Sequence, residues 1–210
     1  MKIFTSADIA GQDKRFRTTF INSLSGFKSV QLLGTISPEG KPNLAIFNSI
    51  FHVGAHPPLL GHIIRPKGPE HDTLENIIQT AYYTLNNVQE ATYKQAHQTS
   101  ARYLSGESEF EACGLEAEQI AGFPVPFVKA ATIQIGLRLR EVVPLTVNET
   151  KVIIGEIELI RLDEKLIGSD GYVDLEAAGS ITCAGLDSYH RTEKIGRLAY
   201  AKPGVETKEL

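Results

Sequence analysis

Apolar residues recur with period two along much of this chain, and only one segment carries a well-signalled helix. Ala131, Ile133, Ile135, Leu137 and Leu139 alternate, with Thr132, Gln134, Arg138 and Arg140 among the positions between. That spacing belongs to a strand with one wet face. Residues 151–162 form a second long strand pattern, with Glu156 and Glu158 on one face and Ile153, Ile157 and Leu159 on the other. Residues 28–36 and 43–53 read as two strands joined through Ser37-Pro38-Glu39-Gly40, a turn with proline and glycine at their favoured positions. Pro57-Pro58 breaks the chain, residues 59–64 read as a third strand, residues 65–72 as a loop and residues 82–86 as strand again. The helix lies between. Asp72 is its expected N-cap, Glu75 completes a capping box, and Leu74, Ile77, Ile78 and Ala81 supply its apolar face. A doubly wound fold would alternate strands with covering helices throughout. The lack of that alternation predicts a closed or nearly closed antiparallel barrel with helical insertions, and closure also removes exposed edges.

The remaining stretches are less regular. Residues 89–103 carry weak helical spacing. Residues 104–126 read as a surface excursion with a short helix near 116–121, placed to cover a ligand or pack on a partner. Residues 170–200 show no long periodicity. No repeat or low-complexity tract divides the chain, so residues 1–210 are expected to form a single domain.

Bulk properties exclude several function classes. With 210 residues, 42% of them hydrophobic, the chain can build a large core. A formal charge of -4 and the absence of a basic run give no drive toward nucleic acid or anionic lipid. No window has the apolar length to span a bilayer, and the N-terminus lacks the apolar stretch of a secretory signal, so no membrane partner is expected. Cys113 and Cys183 are the only cysteines and form no disulfide framework; buried inert thiols are the default. A cytoplasmic location is expected.

The chemical motifs are notable first for what is missing. There is no GxGxxG, no P-loop and no GxSxG elbow. The six histidines match no standard zinc motif, because Gly54 and Pro57 prevent a helix that would align His52 with His56. Ordinary polar histidines, and no metal site, are expected. Glu156 and Glu158 could in principle form a carboxylate pair, but an exposed strand face explains them more simply. What stands out is a set of polar groups interrupting apolar strands. Asn48 and Ser49 sit inside NLAIFNSIF; Arg65 directly follows LLGHII, and Lys67 is two residues on; Asp72 and Thr73 open the helix. Cations, hydroxyls and free helix amides suit a phosphate monoester. Asp72, as a cap, would instead occupy amides and repel the anion. A capped helix beside solvated basic residues is the alternative.

These same residues carry a resemblance. The stretch 40–60, GKPNLAIFNSIFHVGAHPPLL, with Arg65-Pro66 and Asp72-Thr73 after it, resembles the flavin reductase-like, FMN-binding split-barrel family. Asn86 at a strand end, SEFEACGL at 108–115, VIIGEIELI at 152–160 and IGRLAYAKP at 195–203 extend the likeness to roughly residues 20–203. This chain carries Phe47-Asn48-Ser49 where the family often has Ser-Phe or Ser-Ser. The resemblance implies a mainly β fold, a six-stranded antiparallel Greek-key split barrel with helical insertions, which forms a homodimer and holds FMN near the dimer interface. Phe47, Asn48 and Ser49 would meet the flavin or its ribityl chain. Arg65 and Lys67 would pair with its phosphate, with Asp72 and Thr73 alongside. NADH or NADPH would donate hydride to flavin N5, and electrons would pass to a small-molecule acceptor such as a flavin, quinone, metal complex or oxygen. The cofactor carries the chemistry, so no catalytic acid or base is implied. Rival readings are an FMN electron carrier or sensor without reductase activity, a structural dimer that has lost its cofactor, and a haem-binding split barrel using His62 or His190.

Overall fold

A computed structural model describes residues 1–66, 72–104 and 107–210. Two helices precede the barrel. α1 (Ser6–Ala10) is started by a reciprocal capping box between Thr5 and Asp8, and α2 (Lys14–Leu24) by Asp13, whose carboxylate accepts from the amides of Arg15 and Phe16. Neither helix buries a residue fully.

The expected first hairpin is present as β2 (Gln31–Ile36) and β3 (Pro42–Phe47), after the two-residue strand β1 (Lys28–Ser29). The returning strand is shorter than its sequence suggested. Residues 43–53 do not form one strand; they break at 48–50, and β4 (Phe51–Ala55) starts a second hairpin with β5 (Pro58–Ile64). The cause is local: Asn48 and Ser49 direct their side chains to groups outside β2 and β3, and the backbone bends between them. α3 (Asp72–Thr80) and β6 (Tyr82–Asn87) follow, then α4 (Tyr93–Gln98), α5 (Glu109–Ala112) and a small pair, β7 (Ala117–Glu118) with β8 (Phe127–Val128). Two 13-residue strands, β9 (Ile133–Leu145) and β10 (Thr150–Leu162), make the longest hairpin, and β11 (Thr182–Ala184) and β12 (Ser188–His190) complete the chain's strands.

Seven strands join in the order β3-β2-β6-β9-β10-β5-β4, all antiparallel, one more than expected because residues 43–53 divide. The two ends of that order, β3 and β4, are joined by three residues, so Phe47 and Phe51 lie at most about 14 Å apart. The sheet must therefore curl until its edges meet. Ser49 makes the seam: its hydroxyl donates to the carbonyl of Ile63 at 3.2 Å and accepts from the amide of Ile63 at 3.1 Å. A side chain thus occupies the place where a backbone ladder would continue.

Inside the barrel, Leu33, Ile64, Ile77, Tyr83, Leu85, Leu137 and Ile153 pack together. His62 lies among them, 1% exposed, between the rings of Phe47 and Tyr83 at centroid distances of 5.4 and 5.3 Å. Burial alone drives its pKa down to about 3 and pushes the Tyr83 phenol up. Gly155 is needed opposite: a Cβ there would stand 2.1 Å from the Tyr83 hydroxyl.

The stretch 104–126 is more than a surface excursion. It contains no helix at 116–121; α5 comes earlier, and the chain at 117–118 is strand. Phe123, Val125 and Phe127 form a core of their own against the outside of the barrel, with the Phe123 ring filling the space that a side chain at position 136 would need. This layer also satisfies buried polar groups on the strands. Asn86 accepts from the Val128 amide, Thr84 donates to the Pro126 carbonyl and Gln134 to the Val128 carbonyl. Beyond it the wet face is ordinary, with Arg138 and Arg140 pairing with Glu158 and Glu156 across β9 and β10.

α3 differs from its expected form as well. Asp72 is its first residue, and the carboxylate caps no amide among the described residues. Its inward side presents Thr73, Asn76 and Ile77, while Ile78 is exposed and Ala81 leaves the helix at φ 64. Asn76 is buried because it donates to the hydroxyl of Thr35 on β2.

Candidate functional site

The barrel topology gathers three separated stretches of sequence at one end. Ser49 and Ile63 are bonded at the seam, so the bend at 48–50 lies beside the end of β5, where Arg65 emerges. The start of α3 is tied to β3 by Asn43, whose amide donates to Thr73 Oγ1 at 3.1 Å and to Thr35 Oγ1 at 3.3 Å. Phe47, Asn48, Ser49, Arg65, Asp72 and Thr73 accordingly line one cleft of about 960 Å³. Lys67 lies outside the described residues. The volume stands near the top of the ~300–1,000 Å³ usual for small-molecule sites.

Each side chain has a definable capacity. Arg65 is exposed, donates to Asn22 Oδ1 on α2 at 2.9 Å, and pairs with no carboxylate among the described residues. Its other guanidinium protons can meet an anion. Thr73 accepts from Asn43, which leaves its own proton to donate. Ser49 is different: its proton is already given to Ile63, so it can add only an acceptor lone pair. Asn48 donates to the Gly185 carbonyl at 3.0 Å, which fixes the β11–β12 turn against the bend and leaves the Asn48 side-chain oxygen to accept. β3 is an edge strand. Its Leu44 amide is taken by Glu109 at 3.0 Å, and by period two the Ile46 amide points to the same side, toward the cleft that Ile46 lines.

On the opposite wall the sequence reading offered only a covering segment, residues 104–126, and no individual contact residue. His97 near the end of α4, residues 99–103 after it, Glu109, Asn148 and Thr150 at the end of the long hairpin, and Tyr189 line the cleft. Burial, reinforced by the charge of Asp72, holds the Glu109 carboxyl above its ordinary range. The signal for these residues was slight: polar residues with weak helical spacing at 89–103, and a Tyr-His pair near the C-terminal end.

The two histidines offered as haem ligands do not meet at this site. His62 is enclosed in the barrel core, and His190 bonds Ser188 at 2.8 Å while packing against Phe27.

A planar aromatic ligand with a phosphate tail fits this donor set. Arg65 and Thr73 can hold the anion. The Ile46 amide can donate to a ring carbonyl, and the Asn48 oxygen can accept from a ring N–H or a hydroxyl.

A split barrel protein from Shewanella frigidimarina NCIMB 400, with a proposed flavin reductase activity, is 45% identical; the match covers 96% of this chain and 100% of that one, with a TM-score of 0.92. Nitrilotriacetate monooxygenase component B from Bacillus cereus shares the fold at TM-score 0.81 and 22% identity, over 92% of this chain and 98% of that one. The 2-nitrobenzoate 2-nitroreductase of Pseudomonas fluorescens does so at TM-score 0.81 and 22% identity, over 98% and 99%. The Flavin reductase like domain matches residues 26–176, most of the barrel. With that match over more than half its length, and with the barrel and cleft that its sequence implied, the chain belongs to the flavin reductase like family.

Proposed function

We propose that this chain is an FMN-binding flavoprotein that acts as an NAD(P)H-dependent oxidoreductase of the flavin reductase type. The observation that carries the reading is the convergence of Phe47, Asn48, Arg65 and Thr73 on one cleft with an anion-binding end and an edge-strand amide. FMN bound there supplies the hydride-accepting ring. The chain binds and orients it. Arg65 takes the phosphate, with Thr73 donating beside it, because a guanidinium can grip two phosphate oxygens at once. Phe47 presents an apolar wall, Asn48 accepts from the ring edge or ribityl chain, and Ser49 keeps the seam that places them. Asp72 and Glu109 line the α3 end of the cleft, so the Arg65 guanidinium has to offset their charge for a phosphate to sit beside Thr73.

The working form is a homodimer in the cytoplasm, reducing a small-molecule acceptor. Exposed Phe16, Leu24 and Phe27 near α2, and Phe51 and Val53 on β4, support the dimer. Unpaired Cys113 and Cys183 suit a reducing compartment. Among the described residues no helix is long and apolar enough to cross a membrane.

The test is anaerobic mixing of FMN-loaded protein with NADH or NADPH. Bleaching of the flavin bands by either nucleotide is expected. Retained flavin that neither nucleotide bleaches would instead indicate an electron carrier or sensor.

A further inference from the structure

Resting on the flavin reductase reading, we propose that Tyr189 and His97 supply the proton that accompanies electron transfer to a quinone-class acceptor in this cleft. Tyr189 on β12 and His97 on α4 both line the cleft, and the Tyr189 hydroxyl lies 2.8 Å from His97 Nδ1. Tyr93 packs against the Tyr189 ring at 5.4 Å, and His97 meets it edge-on at 5.7 Å, so the phenol has a fixed direction. The β11–β12 turn is itself tied to the flavin-side bend through Asn48 and Gly185. His97 is exposed, which leaves Nε2 open to water. Tyr189 lies beyond residue 176, outside the part of the chain that the family match covers.

A phenol alone would be a poor acid here. Burial, with Cys183 on β11 and Asp187 in the turn facing it, pushes its pKa up to about 12. An imidazolium donating through Nδ1 offsets this by stabilising the phenolate. The step then balances. A quinone that received a hydride would gain two electrons and one proton and would still need a second proton. The Tyr189 O–H bond breaks as the second hydroquinone O–H bond forms. His97 passes its Nδ1 proton to the phenolate, and hydronium or a buffer acid from solvent returns one proton to His97. A metal complex that takes only electrons would have no use for such a pair.

The test loads the full chain with FMN, reduces it with dithionite and follows anaerobic reoxidation by menadione and, separately, by ferricyanide, which takes electrons without protons. In Tyr189→Phe and in His97→Gln, the menadione rate is expected to fall about 10²-fold relative to the ferricyanide rate, the ordinary size of a lost general acid. The solvent isotope effect on the menadione reaction should disappear with it. A second readout needs no cofactor: the His97 Nδ1 nitrogen signal in NMR spectra of the flavin-free chain should move in Tyr189→Phe, because its hydrogen-bond partner is removed. Equal slowing with both oxidants, or an unmoved His97 Nδ1 signal, overturns the proton-supply role and leaves the flavin reading standing. Wild-type protein that retains no flavin overturns that reading, and this proposal with it.

Discussion

Lowering the pH from 7 to 4 is expected to destabilise the native chain by on the order of 3 kcal/mol through His62 alone. The folded pKa is about 3, because the ring is buried in the barrel with no partner for Nε2 among the described residues, whereas the unfolded chain titrates at the ordinary value of 6.5. Between these values the unfolded state holds a proton that the folded state refuses. The contribution is fully present above the unfolded pKa and is lost progressively as pH falls toward the folded one. Glu109 acts with the opposite sign. Its raised pKa means that the folded state takes up a proton more readily, which gains stability as pH falls and offsets part of the loss. Denaturant unfolding at several pH values checks the expectation against His62→Leu, which keeps the volume and removes the orphaned nitrogen. That variant should lie within about 1 kcal/mol of the native chain at pH 7 and show a flatter profile below 6.5. An equally steep profile in the variant would mean that His62 is not the group responsible.

Replacing Arg65 with alanine is expected to weaken FMN binding by roughly 10- to 150-fold, the worth of about 1.5–3 kcal/mol for a hydrogen bond to a charged group. Riboflavin, which has the ring and ribityl chain but no phosphate, is the control. Its affinity should change little, because Arg65 meets only the phosphate. Lysine should recover part of the loss, as charge without the planar fork. The guanidinium is accessible and its observed partner is the neutral Asn22, so the substitution disturbs little else. Calorimetric titration of both ligands distinguishes the cases. An equal loss of FMN and riboflavin would show that Arg65 shapes the cleft instead of holding the phosphate.

The parts of the fold legible in the sequence were those with local signals. The turn at Ser37–Gly40, the strands around Leu33 and Leu60, and the helix opening at Asp72-Thr73 all appear where expected. The break at 48–50 was not legible as a break, since NLAIFNSIFHV reads as continuous strand. What divides it is tertiary: Asn48 reaches Gly185 and Ser49 reaches Ile63, both far along the chain. Residues flagged there as ligand contacts thus also hold the architecture that forms the cleft. α1 and α2 carried readable caps, Thr5 with Asp8 and Asp13, but little apolar periodicity, because they bury nothing fully in a single chain. The layer around Phe123 escaped notice because its short apolar pieces pack by contact with β6 and β9, without a period of their own. The far wall of the cleft was hidden for the same reason. His97, residues 99–103 and Tyr189 come to share a cleft with Asn48 only once the barrel closes.

The central claim is that this cleft holds FMN, and the most direct measurement is the absorbance spectrum of purified protein incubated with FMN and freed of excess by gel filtration. The expected result is a two-band flavin spectrum travelling with the protein, diminished in Arg65→Ala. Protein that emerges colourless, or a retained flavin that is indifferent to Arg65, would contradict it.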